Sequence, residues 1–157
     1  QVLVTSVSEL TYLFLPNMEA QGYGRILNVA SLAGLAPPSA GHTLYGASKS
    51  WLIKFSACLA LESKEHGVHV TALCPGFTYT EFHDVNGMRE KVSKLPKLLW
   101  LSSEDVARIG VDAVEAGKVR VVSGRANRVI AGLAKYLPDA LASALIGARA
   151  KDFRDSD

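Results

Sequence analysis

The fold is decided by two short apolar runs, Arg25-Ile-Leu-Asn-Val-Ala30 and Val68-His-Val-Thr-Ala-Leu-Cys74. Each run follows a glycine and has the length and side-chain content of a buried strand. Between them a helical pattern runs from Leu44 to about His66, and Gly67 stands where a helix C-terminus prefers glycine. Strands separated by a long helix pair in parallel through right-handed crossovers, so these residues predict an α/β fold.

The segments around the first strand are a helix and a loop. Apolar residues at helical spacing predict a helix over about residues 5–21, in which Pro16 is expected to kink or end the last turn. Residues 31–43 contain two glycines and two prolines and predict a loop.

The C-terminal half repeats the alternation of strand and helix. Residues 78–100 are mixed and polar and predict a surface excursion. Ser102-Ser-Glu-Asp105 resembles a capping box, which opens a helix that Gly117 closes. Lys118-Val-Arg-Val-Val122 is the third predicted strand, and two amphipathic helices separated near Pro138 complete the chain.

Composition is that of one soluble globular domain covering residues 1–157, with 48% hydrophobic and 20% charged residues. The net charge of +2 is scattered, which argues against a nucleic-acid surface. No apolar run reaches the roughly 18 residues of a membrane span. Cys58 and Cys74 lie in apolar surroundings and predict buried free thiols in a reducing compartment, so a cytoplasmic location is expected.

The predicted topology gathers polar side chains at one edge of the sheet. Ser31 follows the first strand, residues 75–80 follow the second, and Tyr45 and Lys49 lie in the first turns of the helix between them. In open parallel sheets ligands bind outside the carboxyl ends of the strands. The sequence therefore predicts an active site at this edge.

Tyr45-Gly-Ala-Ser-Lys49 has the spacing of an acid/base pair on one helix face. A phenol with a pKa near 10 is a poor acid or base at neutral pH, and a nearby ammonium lowers that pKa. A serine hydroxyl beside such a pair can stabilise charge on a substrate oxygen. Alone the pattern is weak, because a helix rich in tyrosine and lysine contains it by chance.

Three segments together resemble the successive signatures of the short-chain dehydrogenase/reductase family. They are Asn28-Val-Ala-Ser-Leu-Ala-Gly34, Tyr45-Gly-Ala-Ser-Lys49 and Cys74-Pro-Gly-Phe-Thr-Tyr-Thr-Glu-Phe82. The resemblance covers the whole chain and implies the second half of a doubly wound, Rossmann-like parallel sheet. It implies three strands with flanking helices, without the N-terminal nucleotide-binding half.

The resemblance also implies roles for individual residues. Ser31, Tyr45 and Lys49 match the catalytic residues, with Tyr45 as proton donor or acceptor and Lys49 activating it and holding the nicotinamide ribose. The turn at Pro75 and Gly76 matches the segment that lines the nicotinamide. Thr80 matches the position contacting the carboxamide, and Thr78 contributes through its backbone. The implied cofactor is NADP or NAD, with NADP slightly favoured, and no metal is expected.

Three departures from the family pattern limit this interpretation. Ser31 and Tyr45 are fourteen positions apart, one more than the commonest spacing, and the extra residue is expected in the loop at residues 37–38. Leu3 stands where many members carry a proton-relay asparagine. No glycine-rich phosphate-binding turn occurs. Because Gln1 is neither methionine nor part of a signal peptide, the chain is expected to begin within a longer sequence.

The predicted function is therefore an NAD(P)-dependent oxidoreductase that interconverts a carbonyl and an alcohol on a small, possibly hydrophobic molecule. The alternative is a truncated or inactive fragment that folds and oligomerises without binding cofactor. A homodimer or homotetramer is implied by the resemblance. Trp51, Phe55 and Leu59 form an apolar stripe that is either core or a partner surface.

Several further features of the sequence are each consistent with two interpretations. A C-terminal apolar stripe with basic neighbours either covers the substrate pocket or a subunit contact, or touches a membrane surface. His42 and His83 are either substrate contacts or ordinary loop histidines, and His66 and His69 are expected to face solvent. The apolar stripe consists of Val129, Ile130, Leu133, Leu137, Leu141 and Leu145.

Overall fold

The computed structural model describes residues 1–37, 43–80 and 96–136. Its helices are α1 (Thr5–Ala20), α2 (Thr43–Glu62), α3 (Ser103–Glu115) and α4 (Arg125–Tyr136). Its strands are β1 (Gly24–Val29), β2 (Val68–Cys74), β3 (Phe77–Tyr79), β4 (Trp100–Ser102) and β5 (Arg120–Val122). Single 3₁₀ turns follow β1 and α2 and precede β4, at Leu32–Gly34, Lys64–His66 and Lys97–Leu99.

The main sheet has the order β1-β2-β5, and both pairings are parallel. Strand β1 pairs with β2 from Gly24 opposite Val68 to Val29 opposite Leu73. Strand β5 pairs with the end of β2, where Cys74 lies opposite Val122. Because α2 and α3 make the crossovers, the carboxyl ends of the three strands share one edge, as the sequence predicts.

Helix α2 covers one face of the sheet and supplies much of the core. One buried cluster contains Ala30, Leu52, Ile53, Ala72 and Cys74, and a second contains Leu59, Ala60, Val68 and Val70. The rings of Trp51 and Phe55 stack with centroids 5.0 Å apart against these clusters. Within the stripe, Leu59 is buried core, whereas Trp51 and Phe55 are half-buried and keep one side exposed.

The helical pattern that begins at Leu44 forms α2, whose buried residues lie between Lys49 and Ala60. Leu44 and Leu61, at the two ends of the helix, are exposed. The α-helix ends at Glu62, four residues before the predicted end, and a 3₁₀ turn continues to His66. Gly67 follows it in the left-handed conformation, φ 72°, which glycine adopts without steric cost.

The opposite face of the sheet is covered by α3. The Oγ of Ser102 accepts a hydrogen bond from the backbone N–H of Asp105 at 3.1 Å, so the predicted cap is confirmed. The prediction that His69 faces solvent is wrong, because the ring is half-buried with Nδ1 3.0 Å from the carbonyl oxygen of Val114. This contact exists because His69, on β2, points toward the end of α3, a tertiary neighbour that local sequence does not show.

Helix α1 continues through Pro16 to Ala20, so the proline does not end it. Proline removes one backbone donor and leaves the carbonyl of Tyr12 without its helical partner. Both residues are exposed, and water can satisfy that carbonyl.

Strands β3 and β4 form a separate two-stranded parallel sheet at the two ends of the segment 78–100, which is predicted to be a surface excursion. The ring of Trp100 stacks on Tyr79 at 4.7 Å between centroids and lies 5.5 Å from the ring of Phe77. Three-residue strands are too short to give an alternating pattern of apolar and polar residues, so the sequence does not predict them. The structure shows them through the packing of their aromatic rings.

Of the remaining predictions, some are corrected, some are confirmed, and some concern residues that the structure does not describe. Cys58 and Cys74 are both unpaired, but Cys58 is exposed because α2 turns it away from the sheet. The third strand begins at Arg120, two residues later than predicted. Val129, Ile130 and Leu133 on α4 are exposed, and the second C-terminal helix, with Pro138, His42 and His83, lies outside the described residues. None of the helices in the described ranges combines the length and apolarity that a membrane crossing requires.

Candidate active site

Ser31 lies two residues beyond the end of β1 at Val29 and caps the 3₁₀ turn Leu32–Gly34. Its backbone is extended, and its Oγ accepts a hydrogen bond from the N–H of Ala33 at 3.1 Å. Because the oxygen acts here as an acceptor, the hydroxyl hydrogen remains able to donate to another oxygen. The turn therefore fixes the side chain at the carboxyl edge of the sheet.

Two hydrogen bonds join this turn to its neighbours. The N–H of Leu32 donates to the carbonyl oxygen of Pro75 at 2.8 Å, which connects the segments after β1 and β2. The hydroxyl of Ser50 donates to the carbonyl oxygen of Gly34 at 2.7 Å, which connects the turn to α2. The segments that carry Ser31, Pro75 and Lys49 are thus held as one unit.

Lys49 is a buried cation, with 9% of its surface exposed. Its Nζ donates to the carbonyl oxygen of Val29, the last residue of β1, at 2.8 Å. The same Nζ lies 5.8 Å from the ring centroid of Tyr45, one turn earlier on α2. The structure therefore brings Tyr45 and Lys49 together beside the end of β1, which Ser31 follows.

Two groups beneath this edge have perturbed acidity. Burial lowers the pKa of the Lys49 ammonium, and the neighbouring Cys74 partly opposes that shift. Burial raises the pKa of the Cys74 thiol to about 11, and Arg120, Lys49 and a backbone hydrogen bond from Ser31 oppose the rise. The carbonyl of Val29 stabilises the lysine in its charged form, because a carbonyl oxygen can accept from an ammonium.

The turn at Pro75 and Gly76 is packed against a residue that the sequence patterns do not identify. Asn127 of α4 is 2% exposed, and its Nδ2 donates to the carbonyl oxygen of Ser123 at 2.9 Å. A Cβ built on Gly76 would lie 2.5 Å from Cγ of Asn127, so any larger residue there requires Asn127 or the turn to move. The sequence feature that could have indicated this contact is the position of Asn127, a polar residue four positions after Ser123 in an amphipathic helix.

Thr78 and Thr80 occupy different positions relative to that turn. The Oγ1 of Thr78, in β3, donates to the carbonyl oxygen of Gly76 at 3.2 Å and stabilises the turn through its side chain. Thr80 follows β3 and is exposed. A backbone contribution from Thr78 and a carboxamide contact by Thr80 stay predictions.

The donor set suits a hydroxylated ligand rather than a metal ion. The ammonium of Lys49 can donate three hydrogen bonds, and the structure describes one, to Val29. Two donors therefore remain for the hydroxyls of a ribose, so Lys49 fits the sugar of a nicotinamide nucleotide. Within residues 1–37, 43–80 and 96–136, no three His, Cys, Asp or Glu side chains are grouped closely enough to hold a metal ion.

Comparison with known protein sequences identifies the family of this chain. The family model for short chain dehydrogenases matches residues 1–91. The chain is 35% identical over 130 residues to the ketoacyl reductase HetN of Nostoc sp., covering 82% of this chain and 43% of that protein. It is 34% identical over 116 residues to a probable NADP-dependent dehydrogenase of Haemophilus influenzae, covering 69% of this chain and 46% of that protein.

A solved structure, a short-chain dehydrogenase from Sphingobium yanoikuyae in complex with NADPH, has the same fold with a TM-score of 0.68. The alignment has 24% identity and covers 99% of this chain and 54% of that one. The chain thus spans about half the length of the proteins it matches. With a family model that matches more than half of its residues and a Rossmann-like parallel sheet, the chain belongs to the short-chain dehydrogenase/reductase family.

Proposed function

We propose that the protein is an NAD(P)-dependent oxidoreductase that interconverts a carbonyl and an alcohol, with Tyr45, Lys49 and Ser31 as its catalytic residues. The observation that carries the proposal is the buried Lys49 ammonium, hydrogen-bonded to Val29 and 5.8 Å from the ring of Tyr45. A buried cation without a carboxylate partner among the described residues is costly, and such groups concentrate at functional sites.

Proton transfer is assigned to Tyr45. In the reductive direction its hydroxyl gives a proton to the substrate oxygen, and in the oxidative direction its oxygen takes one from the alcohol. The ammonium of Lys49 stabilises the resulting phenolate electrostatically, and the low polarity of its surroundings strengthens that interaction. Ser31 donates its hydroxyl hydrogen to the same substrate oxygen, because its Oγ is already oriented by Ala33.

The cofactor, when bound, supplies or accepts the hydride. Lys49 would hold its ribose through the two remaining N–H donors, and the turn at Pro75 and Gly76 would line the nicotinamide. NADP is favoured over NAD by the NADP-dependent relative and by the NADPH in the Sphingobium structure. The name of the Nostoc relative supports an oxo group on a hydrophobic acyl chain as the substrate class.

The test is Tyr45→Phe in the protein at its natural length. The phenylalanine keeps the ring and removes the proton that is transferred, so turnover should fall by a factor of about 10²–10⁴. The affinity for NADPH, measured by fluorescence titration, should stay within about twofold, because the ring packing is retained.

Tyr23→Phe is the matched control, since Tyr23 is exposed beside Arg25 at the far end of β1. It removes the same hydroxyl at a site with no assigned role, and its turnover should equal that of the wild type. Near-normal turnover by Tyr45→Phe would remove Tyr45 from the mechanism.

A further inference from the structure

A cavity of about 470 Å³ lies beside the candidate active site, between the segment after β1, strand β5 and helix α4. Its apolar wall includes Leu35, Val122 and Ala131, and its polar wall includes Arg120, Arg128 and Lys135. The volume is within the range that holds small organic ligands.

The cavity adjoins the catalytic edge through two of its apolar residues. Leu35 ends the 3₁₀ turn that Ser31 begins. Val122 pairs with Cys74, which immediately precedes Pro75 and Gly76. Both Leu35 and Val122 pack on the buried cluster of Ala30 and Cys74, so one apolar wall runs from the edge of the sheet into the cavity.

The charged residues described around the cavity are all positive. Arg120 comes from β5, and Arg128 and Lys135 lie two helical turns apart along α4. Among the residues that the structure describes, no acidic side chain lines the cavity, and their ion pairs lie elsewhere, between Arg25 and Glu115 and between Arg108 and Asp105. Arg120, Arg128 and Lys135 are exposed and line one cavity from two elements, so together they give its mouth a positive potential that attracts an anion.

We propose that this cavity binds the anionic end of the substrate, a carboxylate or a phosphate joined by an apolar stem to the reacting carbonyl. The stem contacts Leu35, Val122 and Ala131, and the anion is held by Arg120, Arg128 and Lys135. Arginine suits this task because its guanidinium donates two parallel hydrogen bonds to either anion. That the ligand is the substrate rests on the proposed function; that the cavity takes an anion rests on the cavity itself.

The test compares three probes with the same eight-carbon chain: octanoate, octyl phosphate and 1-octanol. Their binding to the natural-length protein is measured by isothermal titration calorimetry in low salt. At least one anion should bind about tenfold more tightly than 1-octanol, equivalent to about 1.4 kcal/mol. The tighter of the two anions identifies carboxylate or phosphate as the preferred group, and 0.5 M NaCl should reduce the advantage.

Substitutions of the cavity residues test whether the preference for an anion over 1-octanol arises at this cavity. Arg128→Gln and Arg120→Gln should each reduce the advantage of the anion at least threefold, whereas Arg128→Lys should retain most of it. Lys54→Gln makes the same charge change at an exposed position of α2 that does not line the cavity, and it should bind all three probes like the wild type.

Two results would overturn the inference: equal affinity for 1-octanol and both anions, or an anion preference that survives Arg128→Gln and Arg120→Gln in variants with wild-type melting temperatures. Neither depends on turnover. Full activity of Tyr45→Phe on neutral ethyl acetoacetate would instead refute the proposed function while leaving the binding result intact.

Discussion

Asn127 and Gly76 form a contact between side chain and backbone on which the geometry of the Pro75–Gly76 turn depends. The carboxamide of Asn127 occupies the space that a side chain at position 76 would need, and it is held by Ser123. Among the described residues, Oδ1 of Asn127 and Oγ of Ser123 are buried without a hydrogen-bond partner. Such groups are costly, which makes this contact sensitive to substitution.

Gly76→Ala should therefore destabilise the protein and displace the turn. Overpacking a filled site costs about 1–3 kcal/mol of unfolding free energy, and urea denaturation measures it. Gly132→Ala is the control, because a Cβ there meets nothing within 4 Å and alanine favours the helix by about 0.5–1 kcal/mol. If the two variants were equally stable, the close approach of Asn127 to Gly76 would be wrong.

The two cysteines should differ in reactivity, since Cys74 is buried with a thiol pKa of about 11 and Cys58 is exposed. At pH 8 only about one Cys74 thiol in a thousand is ionised, and the thiolate is the reactive form. Iodoacetamide should label Cys58 at least tenfold faster in the folded protein. Peptide mass mapping measures both rates, and labelling in 6 M urea should make them similar. Comparable rates without urea would contradict the burial of Cys74.

Secondary-structure elements could be predicted where a long, continuous stretch of sequence carried the pattern of a strand or a helix. Strand β2 has the predicted ends because seven residues, five of them apolar, stand between Gly67 and Pro75. Strands β3 and β4 were missed because each has three residues and depends on aromatic contacts across the chain. The position of Ser31 at the sheet edge could be predicted from the order of strands and helices. The packing of Asn127 on the turn is a tertiary contact, which the sequence does not show.

The cap of α3 makes a prediction at the scale of the element. Ser102→Ala removes the acceptor for the N–H of Asp105 and should lower the unfolding free energy by about 1 kcal/mol. Ser8→Ala is the control, because Ser8 of α1 donates to the carbonyl of Val4 just before that helix, an exposed bond of a kind that does not strengthen a helix. Urea titration measures both variants. An unchanged midpoint for Ser102→Ala would show that the helix start does not depend on this serine.

At the scale of the whole molecule, contacts within this chain hold the candidate site together, whereas α1 has an apolar surface that the described residues of this chain leave exposed. The segments of the site are joined by the bond from Leu32 to Pro75 and by the bond from Ser50 to Gly34. Helix α1 instead leaves four large side chains exposed within one and a half turns. They are Leu10, Tyr12, Leu13 and Phe14, each more than half exposed. Apolar patches of this kind mark protein interfaces.

We expect α1 to contact a second copy in a homodimer or homotetramer, as the family resemblance implies. Leu13→Lys combined with Phe14→Lys places two cations in that contact, where burying them without partners costs several kcal/mol. Sedimentation velocity at micromolar concentration should show the wild type as an oligomer and the double variant as a monomer. Val111→Lys puts a cation on an exposed apolar position of α3, across the sheet from α2, and should leave the oligomer intact. A monomeric wild type, or a double variant that sediments like the wild type, would show that α1 is not the subunit contact.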